Sequence, residues 1–181
     1  MLAHLKEIKK LDGKFGIKLL TGAEVDILKD GSLDYPDELL KKMDVVTASV
    51  HSGFKNSREQ MTKRICKALE NENVDILGHM TGRLLNQRNP YELDVDAVLK
   101  KAAERKVCIE INAQPSRLDA NDSIIRRGKE LGIKFAINTD AHHTSQLRFM
   151  FYGVAMARRG WLENGDVINT RNVNELLRYF K

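Results

Sequence analysis

At 181 residues, 42% hydrophobic and 30% charged, the chain has the size and composition of one globular domain with a buried core. It contains no run of 18 apolar residues, and its start, "MLAHLKEIKKLDGKF", alternates charge with apolar residues. Neither a membrane span nor a secretory leader is therefore expected, and a cytoplasmic location is. A net charge of +5 favours a polyanionic or phosphorylated partner.

In chain order, the first segment, which carries His4, reads as a polar amphipathic helix, and "IKLLTGAEVDIL" (17–28) predicts a first strand. A turn and short helix in "DGSLDYPDELLKKM" lead to a second strand, "DVVTASVHS" (44–52). Ser57 before "REQ" has the capping-box pattern and opens the helix "SREQMTKRICKALEN", followed by a third strand, "VDILGHM" (74–80). Asp94 caps the helix "DVDAVLKKAAERK" ahead of a fourth strand, "VCIEINAQ" (107–114). Asp122 caps "NDSIIRRGKELG", which Gly132 ends before a fifth strand, "KFAINTDAH" (134–142). Residues 151–181 read as two further helices. Cys66 and Cys108 fall far apart, in a helix and a strand, as reduced core residues of a cytosolic protein do.

Strands alternating with helices of period 3.6 predict βα units around a parallel sheet. Such strands are buried on both faces, so the places where polar residues interrupt them are informative. They interrupt at the C-terminal ends: Glu24, His51, His79, Asn112, then Asp140 with His142. In a β/α barrel these ends meet at one mouth, where active sites are built. Three histidines and two carboxylates there suit zinc, manganese or iron. Asp140 and His142 are two apart and share a side on an extended strand, whereas His143 has the opposite parity.

With these residues the sequence resembles the PHP phosphoesterase family, and in particular the C-terminal PHP domain of family X DNA polymerases. The stretches that carry the resemblance are "GAEVDIL", "DVVTASVHSGF", "VDILGHMTGRLL", "EINAQPSRLD", "NTDAHH" and "YGVAMARRGW". It implies a distorted β/α barrel, divalent metal cofactors (manganese or zinc, with magnesium as a further option) and hydrolysis of phosphate esters such as DNA 3′ ends. Glu24, His51, His79, Asp140 and His142 match the metal ligands. Arg83 and Arg117 are candidates for the substrate phosphate, and Asn112 for a ligand or water at the mouth.

No HxH pair precedes Glu24. The resemblance then implies a single incomplete barrel spanning 1–181, shortened at its N-terminus, with one competent metal site at Glu24, His51 and His79. An open first strand is expected to be covered by a second copy or a partner. Two other readings stand beside the enzyme: a catalytically inactive metal-binding or DNA-binding remnant, and a small-molecule phosphatase of the histidinol phosphatase type.

Overall fold

In a computed structural model, which describes residues 1–180, five strands form one sheet, every adjacent pair parallel, in the order of the chain. They are β1 (Gly22–Asp26), β2 (Val45–Ser49), β3 (Ile76–Leu77), β4 (Cys108–Asn112) and β5 (Phe135–Asn138). The helices are α1 (Leu2–Leu11), α2 (Asp37–Leu40), α3 (Arg58–Ala68), α4 (Val95–Arg105), α5 (Asp122–Glu130), α6 (Met150–Arg159) and α7 (Val173–Tyr179), and a 3₁₀ turn over Thr144–Phe149 leads into α6. The architecture is α/β, an incomplete barrel with its helices outside.

Strand parity explains what fills each side of the sheet. Val25, Val46, Ala48, Leu77, Ile109, Ile111, Phe135 and Ile137 share the main core with helix residues such as Met61, Ile65, Leu99 and Ile125. The alternate residues change character along the strands. At the N-terminal end Ile76, Cys108 and Ala136 form a small apolar cluster with Ile168, and Leu176, Tyr179 and Phe180 pack against it. Toward the C-terminal end the same face carries Thr47, Ser49, Glu110, Asn112 and Asn138. Gly78 sits among them because there is no room for more: a Cβ there would lie 2.2 Å from Ser49 Oγ and 2.9 Å from Thr47 Cγ2.

Caps and one buried arginine fix the connections. Ser57 and Gln60 form the expected capping box, and Asp94 Oδ1 accepts from Ala97 N at 3.0 Å. For α5 the cap is Asn121, not Asp122, since Asn121 Oδ1 accepts from both Ile124 N and Ser123 Oγ. Arg64, fully sequestered on α3, donates to the carbonyls of Leu28 (2.8 Å), Ser52 (2.7 Å) and Ile27. Its fork ties the loop after β1 to the loop after β2.

Several strands are shorter than the apolar runs suggest. The first covers only Gly22–Asp26 of 17–28, because residues ahead of it follow a turn at Gly16 (φ +70°) and find no strand partner. The third is cut to two residues, with His79 already at φ +20°. The fifth ends at Asn138, and Asp140 lies at φ +49°, so the extended-strand parity used to pair Asp140 with His142 does not apply. Cys66 is half-buried instead of a core residue, whereas Cys108 is buried.

At the opposite end of the sheet from the mouth, Asp75 accepts from Val46 N at 2.7 Å, and burial pushes its carboxyl up to about 7 despite that bond. Below about pH 4 the group is protonated folded or unfolded and has no effect. Between about pH 4 and 7 the unfolded chain ionises the group and the folded state does not, so stability falls as pH rises, and above 7 the folded state holds a disfavoured charge. Asp75→Asn keeps the acceptor for Val46 and removes the titration. We expect the variant to gain about 1–2 kcal/mol over wild type at pH 8, after allowing for solvent screening, and nothing at pH 4, by urea denaturation at both pH values.

Candidate metal centre

Glu24 is central in β1, and parity sends its side chain to the same face as Asp26. Residues 47, 49 and 51 continue that face from β2, which brings His51, two residues past the strand, beside both carboxylates. Glu24 Oε1 lies 3.3 Å from His51 Nε2 and 2.9 Å from His79 Nε2. The two imidazoles meet edge to face with centroids 5.2 Å apart. Ligand atoms of Glu24, His51 and His79 all lie within 4.8 Å of one another. The sequence-derived set of five thus divides, and these three form the cluster.

Each histidine is aimed differently. His51 is half-exposed, and its Nδ1 is 2.5 Å from Asp26 Oδ1, leaving Nε2 for the cluster. His79 is buried, its backbone N–H held by Glu110 Oε2 at 2.6 Å, and its Nδ1 has no partner among the described residues. Burial acts to raise the pKa of Glu24, but hydrogen bonds from His51 and His79 outweigh it and hold the carboxyl far below the usual range. In return the bond to Glu24, against partial burial and with help from Asp26, pushes His51 up to about 9. A cation entering the cluster displaces that proton.

Asp140 and His142 stand beside this group, joined to it through a chain of polar contacts. Glu110 Oε2 also accepts from Asn112 Nδ2 (3.3 Å), which donates in turn to Asp140 Oδ2 at 3.1 Å. His142 is 80% exposed, and its Nδ1 contacts Asp140 O at 2.8 Å. His143 Nδ1 meets Ser145 Oγ at 2.9 Å and accepts from Ser145 N, a capping role. Arg117 Nε is 3.9 Å from Asp140 Oδ2, and its Nη1 is buried without a partner among the described residues. Arg83 is taken up by backbone, donating from Nε to Arg117 O at 2.9 Å and from Nη2 to Leu118 O.

Residues not singled out in the sequence complete the site. Glu110, 5% exposed, sits mid-strand between Ile109 and Ile111 and takes Asn138 Nδ2 at 2.8 Å on its second oxygen. Burial pushes its carboxyl up against the pull of His79 and the amide donors. Asp119 accepts from Thr81 N and Oγ1 at 3.0 and 2.8 Å and is likewise pushed up by burial. Asp26 follows Glu24 by two, the spacing that was legible for shared facing. A charge inside an otherwise apolar buried strand was the readable sign of Glu110.

The donor set fits a divalent ion. Two imidazole nitrogens and a carboxylate are common zinc ligands, and bond lengths near 2.0–2.2 Å place tetrahedral ligand atoms about 3.3 Å apart. The observed 2.9 and 3.3 Å need only a small expansion. Among the described residues the Asp26 side chain has one hydrogen-bond partner, His51. We therefore expect Asp26→Ala to weaken Co²⁺ or Zn²⁺ binding by about 10–100-fold, with Asp26→Asn in between and the melting temperature of the metal-free protein little changed. Calorimetric titration of the chelator-stripped protein reads the affinity.

No family model matches the chain. Over 177 residues it is 41% identical to the DNA polymerase/3′-5′ exonuclease PolX of Bacillus subtilis (strain 168), a match covering 97% of this chain and 31% of that protein. It is 34% identical over 192 residues to a probable phosphatase of Thermoanaerobacter sp. (strain X514), covering 99% of this chain and 75% of the relative. A probable phosphatase of Clostridium acetobutylicum is 36% identical over 138 residues, covering 71% of this chain and 54% of the relative. The chain thus spans about a third of the length of the Bacillus protein. Near-full coverage by these relatives, over an incomplete parallel barrel with a histidine–carboxylate cluster at its mouth, shows that the chain belongs to the PHP phosphoesterase family.

Proposed function

We propose that the chain is a metal-dependent phosphoesterase domain acting on DNA 3′ ends, as a 3′-5′ exonuclease or 3′-phosphatase. The observation that carries the reading is the cluster of Glu24, His51 and His79. Similarity to a DNA polymerase/3′-5′ exonuclease supports the choice of substrate, and similarity to probable phosphatases supports the reaction.

Glu24, His51 and His79 hold the ion in this reading, with Asp140 and His142 as further ligands toward the other side of the mouth. A bound divalent ion supplies Lewis acidity at the phosphoryl group and lowers the pKa of water. The chain's own groups do the rest. Glu24 gathers both imidazoles, and Asp26 and the Glu110 contact fix their directions. Arg117 is the phosphate-binding group: it is half-buried beside Asp140, and its Nη1 has no hydrogen-bond partner among the described residues. Arg83 serves it indirectly by gripping the carbonyls of Arg117 and Leu118. Asn112 holds Asp140 in place.

With manganese, the protein is expected to release phosphate from a 3′-phosphorylated oligonucleotide or nucleotides from a single strand. His51→Ala is expected to lower kcat/KM by at least about 100-fold, and Arg117→Ala to raise KM more than it lowers kcat. Wild-type turnover no higher than that of His51→Ala would sink the enzyme reading, and turnover of small esters alone would remove DNA from it.

A further inference from the structure

The segment from Ala141 to Leu162 contains three arginines, two histidines and no acidic residue. It forms the 3₁₀ turn and α6, and it leaves large apolar side chains in solvent: Leu147 is 61% exposed, Phe151 74% and Tyr152 43%. Phe151, Val154 and Arg158 follow helical three-and-four spacing and are all exposed, so they share the outward face of α6. The opposite face is pinned inward at Gly153, where a Cβ would lie 2.4 Å from Ile137 Cγ2 and 3.0 Å from Ala113 Cβ. Phe151 and Tyr152 pack edge to face, centroids 5.8 Å apart, and Tyr152 meets Phe149 at 6.0 Å. Arg148 and Arg158 make no ion pair among the described residues.

This ridge is tied to the mouth. Gln146 Oε1 accepts from His142 N at 2.7 Å and faces Gln114 Nε2, which donates to Asp140 O at 2.6 Å. The ridge therefore starts at the turn that is hydrogen-bonded to His142.

An exposed aromatic cluster flanked by unpaired cations matches what a flexible polyanion with flat bases requires: rings to stack on and charges for the phosphates. A second copy of the chain is a poorer occupant. A two-fold contact centred on this ridge sets Arg148 of one copy toward Arg158 of the other, with no acid in the segment to pair with them. We propose that the ridge holds a single-stranded nucleic-acid segment, with bases stacked on Phe151 and Tyr152 and phosphates paired with Arg148 and Arg158. This rests on the proposed action on DNA ends and adds how the strand is led to the mouth.

The test separates binding from hydrolysis. Fluorescence anisotropy with a labelled oligo(dT), in chelator, reads the ridge alone, and an abasic strand of equal length reads the phosphates without the bases. We expect dT to bind tighter than the abasic strand and Phe151→Ala to weaken dT about ten-fold while sparing the abasic strand. Phe151→Trp should keep the affinity. Replacing Arg148 and Arg158 together by alanine should lower the slope of log K against log salt by about 1.4. Equal losses for dT and abasic strands, or unchanged dT affinity in Phe151→Ala, would overturn the proposal. So would a wild-type dimer, by light scattering, that Phe151→Ala converts to monomer. If wild type binds dT as expected but hydrolyses nothing with manganese, the ridge stands and the catalytic reading fails.

Discussion

The buried carboxylate of Glu110 is the interaction on which the mouth of this sheet depends. It lies on the inner face of β4, where a charge is expensive unless every lone pair is used. Its two oxygens take the backbone N–H of His79 and the amides of Asn112 and Asn138. Through the first contact it sets a turn that could not continue β3, since His79 is already at positive φ. Through the second it reaches Asp140 by way of Asn112. One side chain thereby fixes both halves of the mouth relative to β4, and its removal would leave each of its partners with an unpaired donor.

The polar network is tolerable because the inner face is graded. At the N-terminal end of the strands, α7 brings apolar side chains over Ile76, Cys108 and Ala136. Only the C-terminal half is polar, and there the chain uses small residues and amides to make room and to satisfy hydrogen bonds. Gly78 is part of that device, being the position where any side chain would displace Ser49 and Thr47. The outer face is uniformly apolar under the helices, so the strands are held from outside and the mouth is free to carry chemistry.

Much of this was legible in the sequence, and the failures have physical causes. The five strands, the Ser57 capping box and the polar strand ends follow from periodicity and from polar residues interrupting apolar runs, and the family resemblance singled out Glu24, His51 and His79 among them. Strand lengths were less legible, because an apolar run does not say where left-handed residues such as His79 and Asp140 turn the chain. That turn also undid the parity argument for His142. Glu110 was less legible because it lies mid-strand and its hydrogen-bond partners come from β5, the turn after β3 and its own strand, which no local pattern records. Arg64 escaped for the same reason: its three carbonyl partners lie in two loops distant in sequence.

The two arginines of the mouth show how placement separates roles that composition leaves equal. Arg83 and Arg117 both follow strand ends, and either could have offered its fork to a phosphate. A guanidinium has five donors in a fixed plane. Arg83 uses two of its nitrogens on the carbonyls of Arg117 and Leu118, where Leu118 sits at φ +45°. Those bonds shape the turn that carries Arg117 and keep it beside Asp140. Arg117 in turn keeps Nη1 free of any partner among the described residues. A buried donor without a partner is unfavourable in the resting protein, and it is this unspent donor that the proposed function assigns to a substrate phosphate. The two loops thus pair an arginine whose donors are spent on backbone with an arginine that keeps one unspent, and the difference between them lies in which carbonyls are within reach.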